Sequence, residues 1–234
     1  MYYTTNYDEN STNHAKISGM VLNNPTKTHQ VEGENFYEFK VAVERLSKIK
    51  DIIPVTVSER SLTHMSISAG DFVEVEGEYR SYNKLINERS SLVLHLFAKE
   101  IKELEDVSSQ MNEVKLTGFV CKPPVYRKTP FDREICDVLI AVNRPNFHKS
   151  DYVPCIMWGR NARFIANQNV GCKIELTGRI QSREYTKRRD DGTEETKTAY
   201  EVSCQRIALL SNVTNLDNDK EENNKIVNWY AEWK

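Results

Sequence analysis

The chain repeats itself at a spacing of about 100 residues, and that repeat restricts the fold more than any single motif. Ala15-Lys16-Ile17-Ser18-Gly19-Met20-Val21 is echoed by Val114-Lys115-Leu116-Thr117-Gly118-Phe119-Val120. Asp51-Ile52-Ile53-Pro54-Val55 returns as Asp151-Tyr152-Val153-Pro154-Cys155, and Gly70-Asp71-Phe72-Val73-Glu74-Val75-Glu76-Gly77 returns as Gly171-Cys172-Lys173-Ile174-Glu175-Leu176-Thr177-Gly178. The offset grows from 99 at Gly19/Gly118 to 100 at Pro54/Pro154 and 101 at Gly70/Gly171. Single-residue drifts of this kind fit insertions in loops between matched strands, so the order of the matches denotes two copies of one domain. A length of 234 residues accommodates two such units, each with a modest core of its own. The repeat divides the chain into a polar N-terminal arm (1–13), a first barrel (14–108), a second barrel (109–211) and an acidic, aromatic tail (212–234).

Charge separates along the same division. Residues 1–111 carry 12 basic and 17 acidic side chains, net −5; residues 112–211 carry 17 and 12, net +5; residues 212–234 carry 3 and 5, net −2. Only the second copy is suited by charge to a polyanion. No apolar run reaches the ~18 residues that a membrane helix requires, and the polar N-terminus lacks the layout of a signal peptide. The five cysteines (Cys121, Cys136, Cys155, Cys172 and Cys204) form no CxxC pair. They read as small strand residues of a reducing compartment rather than as a zinc site or disulfide framework. A cytoplasmic location is expected. No cofactor or metal is expected.

Each copy reads as five short strands with one short helix. In the second, Glu113–Cys121 alternates apolar and polar positions before Lys122-Pro123-Pro124 breaks it. Val125–Lys128 and Glu134–Asn143 flank a turn at Thr129–Asp132, and Tyr152–Trp158 forms the third strand. Asn161–Ala166 is the helix, with Asn161 as its N-cap and Phe164 in the core. Lys173–Thr186 and Thr196–Leu209 make a second hairpin with an Asp191-Gly192 turn. In the first copy the hairpin tips fall near Val31–Glu34 and Asn83–Arg89. Five strands with a helix between the third and fourth is the order of the OB-fold, a small barrel that binds oligonucleotides on one face. The expected class is therefore all-β with short helices, as two tandem five-stranded OB-fold barrels.

A groove that holds single strands without sequence preference needs cations for the phosphates and rings for the bases. The second copy interleaves them: Tyr126-Arg127-Lys128, Phe131 with Arg133, Arg144 with Phe147, Tyr152, Trp158 with Arg160, Arg183 with Tyr185, then Lys187, Arg188 and Arg189. Each ring has a plainer alternative as a core residue. Tyr152 and Trp158, six apart in one strand, project to the same side and make one platform. In the first copy Ile52 and Ser58 take their places, leaving Tyr79, Arg80 and Tyr82 as its few candidates.

Residues 112–211 resemble the single-stranded DNA-binding protein (SSB) family of bacteria, phages and plasmids. The resemblance rests on Asn112–Gly118, Ile140-Ala141-Val142-Asn143-Arg144, Tyr152–Arg160 and Val170–Tyr185. It implies base stacking at Tyr152, Trp158 and Tyr185, with a looser match at Phe147. It also implies a four-barrel assembly, which two of these chains would supply as a homodimer. Family tails end in an acidic stretch and Pro-Phe that dock replication and repair proteins. Here Asp217–Glu222 is followed by Trp229, Tyr230 and Trp233, similar in logic but not in letters; the alternative is a short helix packed on its own protein. The expected ligand is single-stranded DNA. Two rivals remain: an OB-fold nuclease, for which the carboxylates Asp132, Glu134, Asp137 and Asp151 are too dispersed, and a protein-docking module built on the acidic first copy.

Overall fold

A computed structural model describes residues 11–63, 65–86, 89–106, 110–145, 149–188 and 192–212. The first half contains β1 (Asn13–Val21), β2 (Thr26–Val31), β3 (Glu34–Glu44), β4 (Lys50–Ser58), α1 (Glu59–Leu62), β5 (Phe72–Ile86) and β6 (Arg89–Leu104). The second repeats the order as β7 (Asn112–Val120), β8 (Val125–Lys128), β9 (Glu134–Arg144), β10 (Lys149–Trp158), α2 (Arg160–Ala166), β11 (Cys172–Arg188) and β12 (Glu194–Asn212). Pairings β1–β3, β3–β4, β4–β6, β6–β5 and β5–β1 close a five-membered ring; β7, β9, β10, β12 and β11 close its counterpart. In each ring the strand after the helix is antiparallel to the last one, and only the β4–β6 and β10–β12 contacts are parallel. This is the all-β, OB-type architecture expected from the strand order. Strands β2 and β8 are short extra edges on β3 and β9.

The glycines of the repeat sit where each ring closes. A methyl at Gly19 would overlap the carbonyl of Ala42, and one at Gly118 that of Ala141. Gly77 and Gly178 likewise face the carbonyls of Phe97 and Ser203, beside register shifts that bend β5 and β11. Inward-pointing residues such as Ile17, Val41, Val55 and Leu96 fill the first ring, and Leu116, Ile140, Met157 and Ile174 fill the second. The five cysteines are reduced, and four are buried strand residues. No helix among the described residues is long and apolar enough to cross a membrane.

The halves join through their first strands. β1 pairs antiparallel with β7 so that Ala15 lies opposite Val114, its own counterpart in the repeat. A residue paired with its own equivalent marks a pseudo-twofold axis. The flanking bonds obey it: the Ser18 N–H donates to the Met111 carbonyl at 2.8 Å, and the Thr117 N–H to the Thr12 carbonyl at 2.7 Å.

Further out, the repeated Asp-x-x-Pro elements form two equivalent brackets. Asp51 accepts from Arg45 Nε at 2.7 Å within its own half and from the Ser182 N–H at 2.8 Å across the seam; Ser182 Oγ accepts from the Ile52 N–H at 2.8 Å. Asp151 accepts from Arg144 Nε at 2.8 Å and from the Ser81 N–H at 2.6 Å, while Ser81 Oγ accepts from the Tyr152 N–H at 2.7 Å. Arg144 Nη2 adds a bond to the Ser81 carbonyl at 3.0 Å. Thus the far ends of β5 and β11 each cross the seam and fasten to the other ring.

Candidate nucleic-acid interface

Strand β10 is buried without a break from Asp151 to Met157, and Trp158 at its end stands outside. Gly159 then turns with φ 53, a left-handed geometry that favours glycine, and ends the strand immediately after the indole. Trp158 is therefore left 39% exposed at a strand end. It lines an open cleft of about 620 Å³ with Arg160, Asn161, Gln205, Arg206 and Ile207. Asn161 donates from Nδ2 to the Gln205 carbonyl at 3.0 Å, tying the start of α2 to β12 beneath the cleft. One ring face and two exposed guanidiniums, Arg160 and Arg206, converge there. This combination accommodates a base against the indole and phosphate oxygens at the arginines.

The hairpin of β8 and β9 borders the same face. Tyr126 donates its hydroxyl to Glu134 at 2.6 Å, Arg127 grips the buried Asp137 at 2.8 Å, and Lys128 pairs with Asp132 at 2.9 Å. Arg133 at the turn is exposed. On the β11 arm, Arg183, Tyr185 and Lys187 alternate onto one face, and the Arg183 guanidinium carbon lies 5.9 Å from the centre of the Tyr185 ring, within cation–π range. Arg188 on the opposite face pairs with Glu194 at 3.4 Å. Beneath the arm, burial raises the carboxyl of Glu201 above the usual carboxylate range, against a hydrogen bond from Gln181 and the nearby Arg183 that pull it down.

Several expectations need correction. Tyr152 does share a face of β10 with Trp158, but it is only 4% exposed, because the far end of β5 fastens to β10 at that point. The two rings do not form one open platform. Arg144 is committed to Asp151 and the Ser81 carbonyl at the seam, and that hydrogen-bonded partner raises its pKa further. Asn161 is not the N-cap, since α2 begins one residue earlier and Gly159 takes the cap position. Phe164 is 39% exposed rather than in the core. Tyr79 of the first half is wholly buried. Phe147, Arg189, Trp229, Tyr230 and Trp233 lie outside the described residues. Arg206 was missed: it is a lone cation in an otherwise ordinary last strand, and its place in the cleft depends on the register shift near Gly178.

The profile of the Single-strand binding protein family matches residues 111–210. Single-stranded DNA-binding protein 3 of Clostridium acetobutylicum is 32% identical over 124 residues, covering 48% of this chain and 83% of that protein. Single-stranded DNA-binding protein 2 of the same organism is 32% identical over 119 residues, 46% and 86% of the respective chains. This chain belongs to the single-strand binding protein family. Against other relatives this family member spans only part of their length: 59% of Single-stranded DNA-binding protein 3 of Streptococcus agalactiae, at 33% identity over 82 residues and 32% of this chain. The wild-type single-stranded DNA binding protein from Thermus aquaticus superposes with a TM-score of 0.66 at 18% identity, covering 89% of this chain and 98% of that one. At that identity the likeness concerns the fold, and it extends over both rings of this family member.

Proposed function

We propose that this chain binds single-stranded DNA without sequence preference, protecting or organising it during replication, recombination or repair, and performs no chemistry on it. The observation that carries the reading is the cleft where Trp158 meets Arg160 and Arg206. Membership of the single-strand binding protein family supports it. The site comprises Trp158, Arg160 and Arg206, the hairpin residues Tyr126, Arg127, Lys128 and Arg133, and the arm residues Arg183, Tyr185, Lys187 and Arg188. Tyr152 and Arg144 act at the seam between the two OB units, residues 14–108 and 109–211. The tail, through Trp229, Tyr230 and Trp233, docks replication or repair proteins, and two chains assemble as a homodimer with four OB units in the cytoplasm.

A stacking ring needs a free base face, which a duplex withholds. Filter binding should therefore retain labelled oligo-dT far better than a duplex of equal length. Equal retention would contradict the reading.

A further inference from the structure

The two halves fold alike, yet the first-half corner that matches the Trp158 cleft has the opposite charge. At the offset set by Pro54 and Pro154, Ser58 and Arg60 take the places of Trp158 and Arg160, and Glu59 that of Gly159. Phe36 lies opposite Ser58 where Ile135 lies opposite Trp158, so Glu34 matches Arg133, two residues earlier in the chain. On the last strands Glu76 pairs with Glu100 where Thr177 pairs with Arg206, so Glu100 matches Arg206. Two cations of the second half are thus replaced by carboxylates, and a third carboxylate is added.

The one cation that survives, Arg60, is held by one of them. The Ser58 hydroxyl donates to one oxygen of the Glu34 carboxylate, and Arg60 Nε lies 3.5 Å from the other. Ser58 Oγ in turn accepts from the Arg60 N–H at 3.1 Å, capping α1. Asn35 steadies Glu59 beside them, its Nδ2 donating at 2.8 Å. The second half turns its nearby carboxylate elsewhere: Glu134 accepts from the Tyr126 hydroxyl at 2.6 Å and pairs with Arg163 at 3.2 Å.

We infer that Glu34 is a specificity-determining residue: its carboxylate occupies, at Ser58 and Arg60, the place where the second half receives a phosphate, and so closes this corner to the strand. The inference rests on the function proposed above. A carboxylate and a phosphate seek the same donors, a guanidinium and a hydroxyl. Glu34 competes from within the same sheet, at high effective concentration, while Glu59 and Glu100 repel an approaching backbone. The Glu34–Arg60 pair contributes little to stability, since the Arg60 side chain is 84% exposed. Its removal therefore frees a cation in a folded chain.

The test is the salt dependence of oligo-dT binding by the full chain at two lengths. One is about 8 nucleotides, within the ~4–16 that a single OB-fold covers, and the other is about 35. Glu34→Gln keeps an acceptor for Ser58 and releases Arg60. For the long oligonucleotide, the slope of log affinity against log salt should steepen by ~0.7, one phosphate contact. Between about 50 and about 200 mM salt, the loss of affinity becomes about 3-fold greater than in the native chain. Glu34→Lys, which sets a cation where the second half has Arg133, should steepen the slope by ~1.4. Glu34→Gln/Arg60→Ala should return to the native slope, and the short oligonucleotide, held by the second half, should not respond to any of these changes. A native slope in folded Glu34→Gln, or a steeper one that survives Arg60→Ala, would overturn the inference and leave the second-half site standing. Arg60→Ala alone gives an independent reading: an unchanged slope is expected, and a shallower one would show that Arg60 already meets phosphate, which contradicts the closure. A native chain that binds neither length would overturn the proposed function itself.

Discussion

Oligo-dT affinity should fall by about 10²-fold or more as salt rises from about 50 to about 200 mM. The exposed or half-exposed cations of the second half include Arg133, Arg160, Arg183, Lys187, Arg188 and Arg206. If about six of them neutralise phosphates, the slope of log affinity against log salt is about −4, at ~0.7 per contact for a single strand. Arg127, Lys128 and Arg188 add less, because each must first leave a carboxylate, Asp137, Asp132 or Glu194. Arg160→Ala and Arg206→Ala should each reduce the slope by about 0.7. A flat salt response, or an unchanged slope in both variants, would remove the cleft arginines from the phosphate path.

Asp151→Ala should destabilise the chain by about 3–5 kcal/mol. The carboxylate is 1% exposed and serves Arg144 and the Ser81 N–H together, so its loss strands a guanidinium and a backbone donor at the seam. Arg144 retains some access to water and its bond to the Ser81 carbonyl, which places the expected cost at the lower end. At roughly 2–4 °C per kcal/mol for a chain of this size, the midpoint of thermal unfolding should drop by about 6 °C or more. Asp151→Asn keeps an acceptor for Ser81 and should fall between. Asp51→Ala should behave similarly through Arg45 and Ser182, because the bracket is repeated about the pseudo-dyad. A shift of less than about 1 kcal/mol in both alanine variants would show that the brackets do not hold the halves together.

The repeat made the architecture legible because its glycines and alternating strands are the features that a small closed barrel requires twice. Gly19, Gly77, Gly118 and Gly178 are tied to carbonyls of neighbouring strands, so their spacing already encodes the closures. The Asp-x-x-Pro element was visible as a repeat but not as a bracket, since its partners Ser81 and Ser182 reach it only when arms cross between halves. The same crossing explains Tyr152: strand alternation gives its side correctly, but a segment some 70 residues away covers it. Trp158 was legible because it depends on its place at the strand end and the adjacent Gly159.

The central claim is that bases stack on Trp158. Trp229 and Trp233 are the only other tryptophans, so a Trp229→Phe/Trp233→Phe chain reports from Trp158 alone. Saturating oligo-dT should quench that fluorescence strongly, and Trp158→Ala should lose ~1–3 kcal/mol of binding while keeping its denaturant midpoint, since the indole stands outside the core. Unquenched emission at saturation, with a folded Trp158→Ala chain of unchanged affinity, would contradict the account.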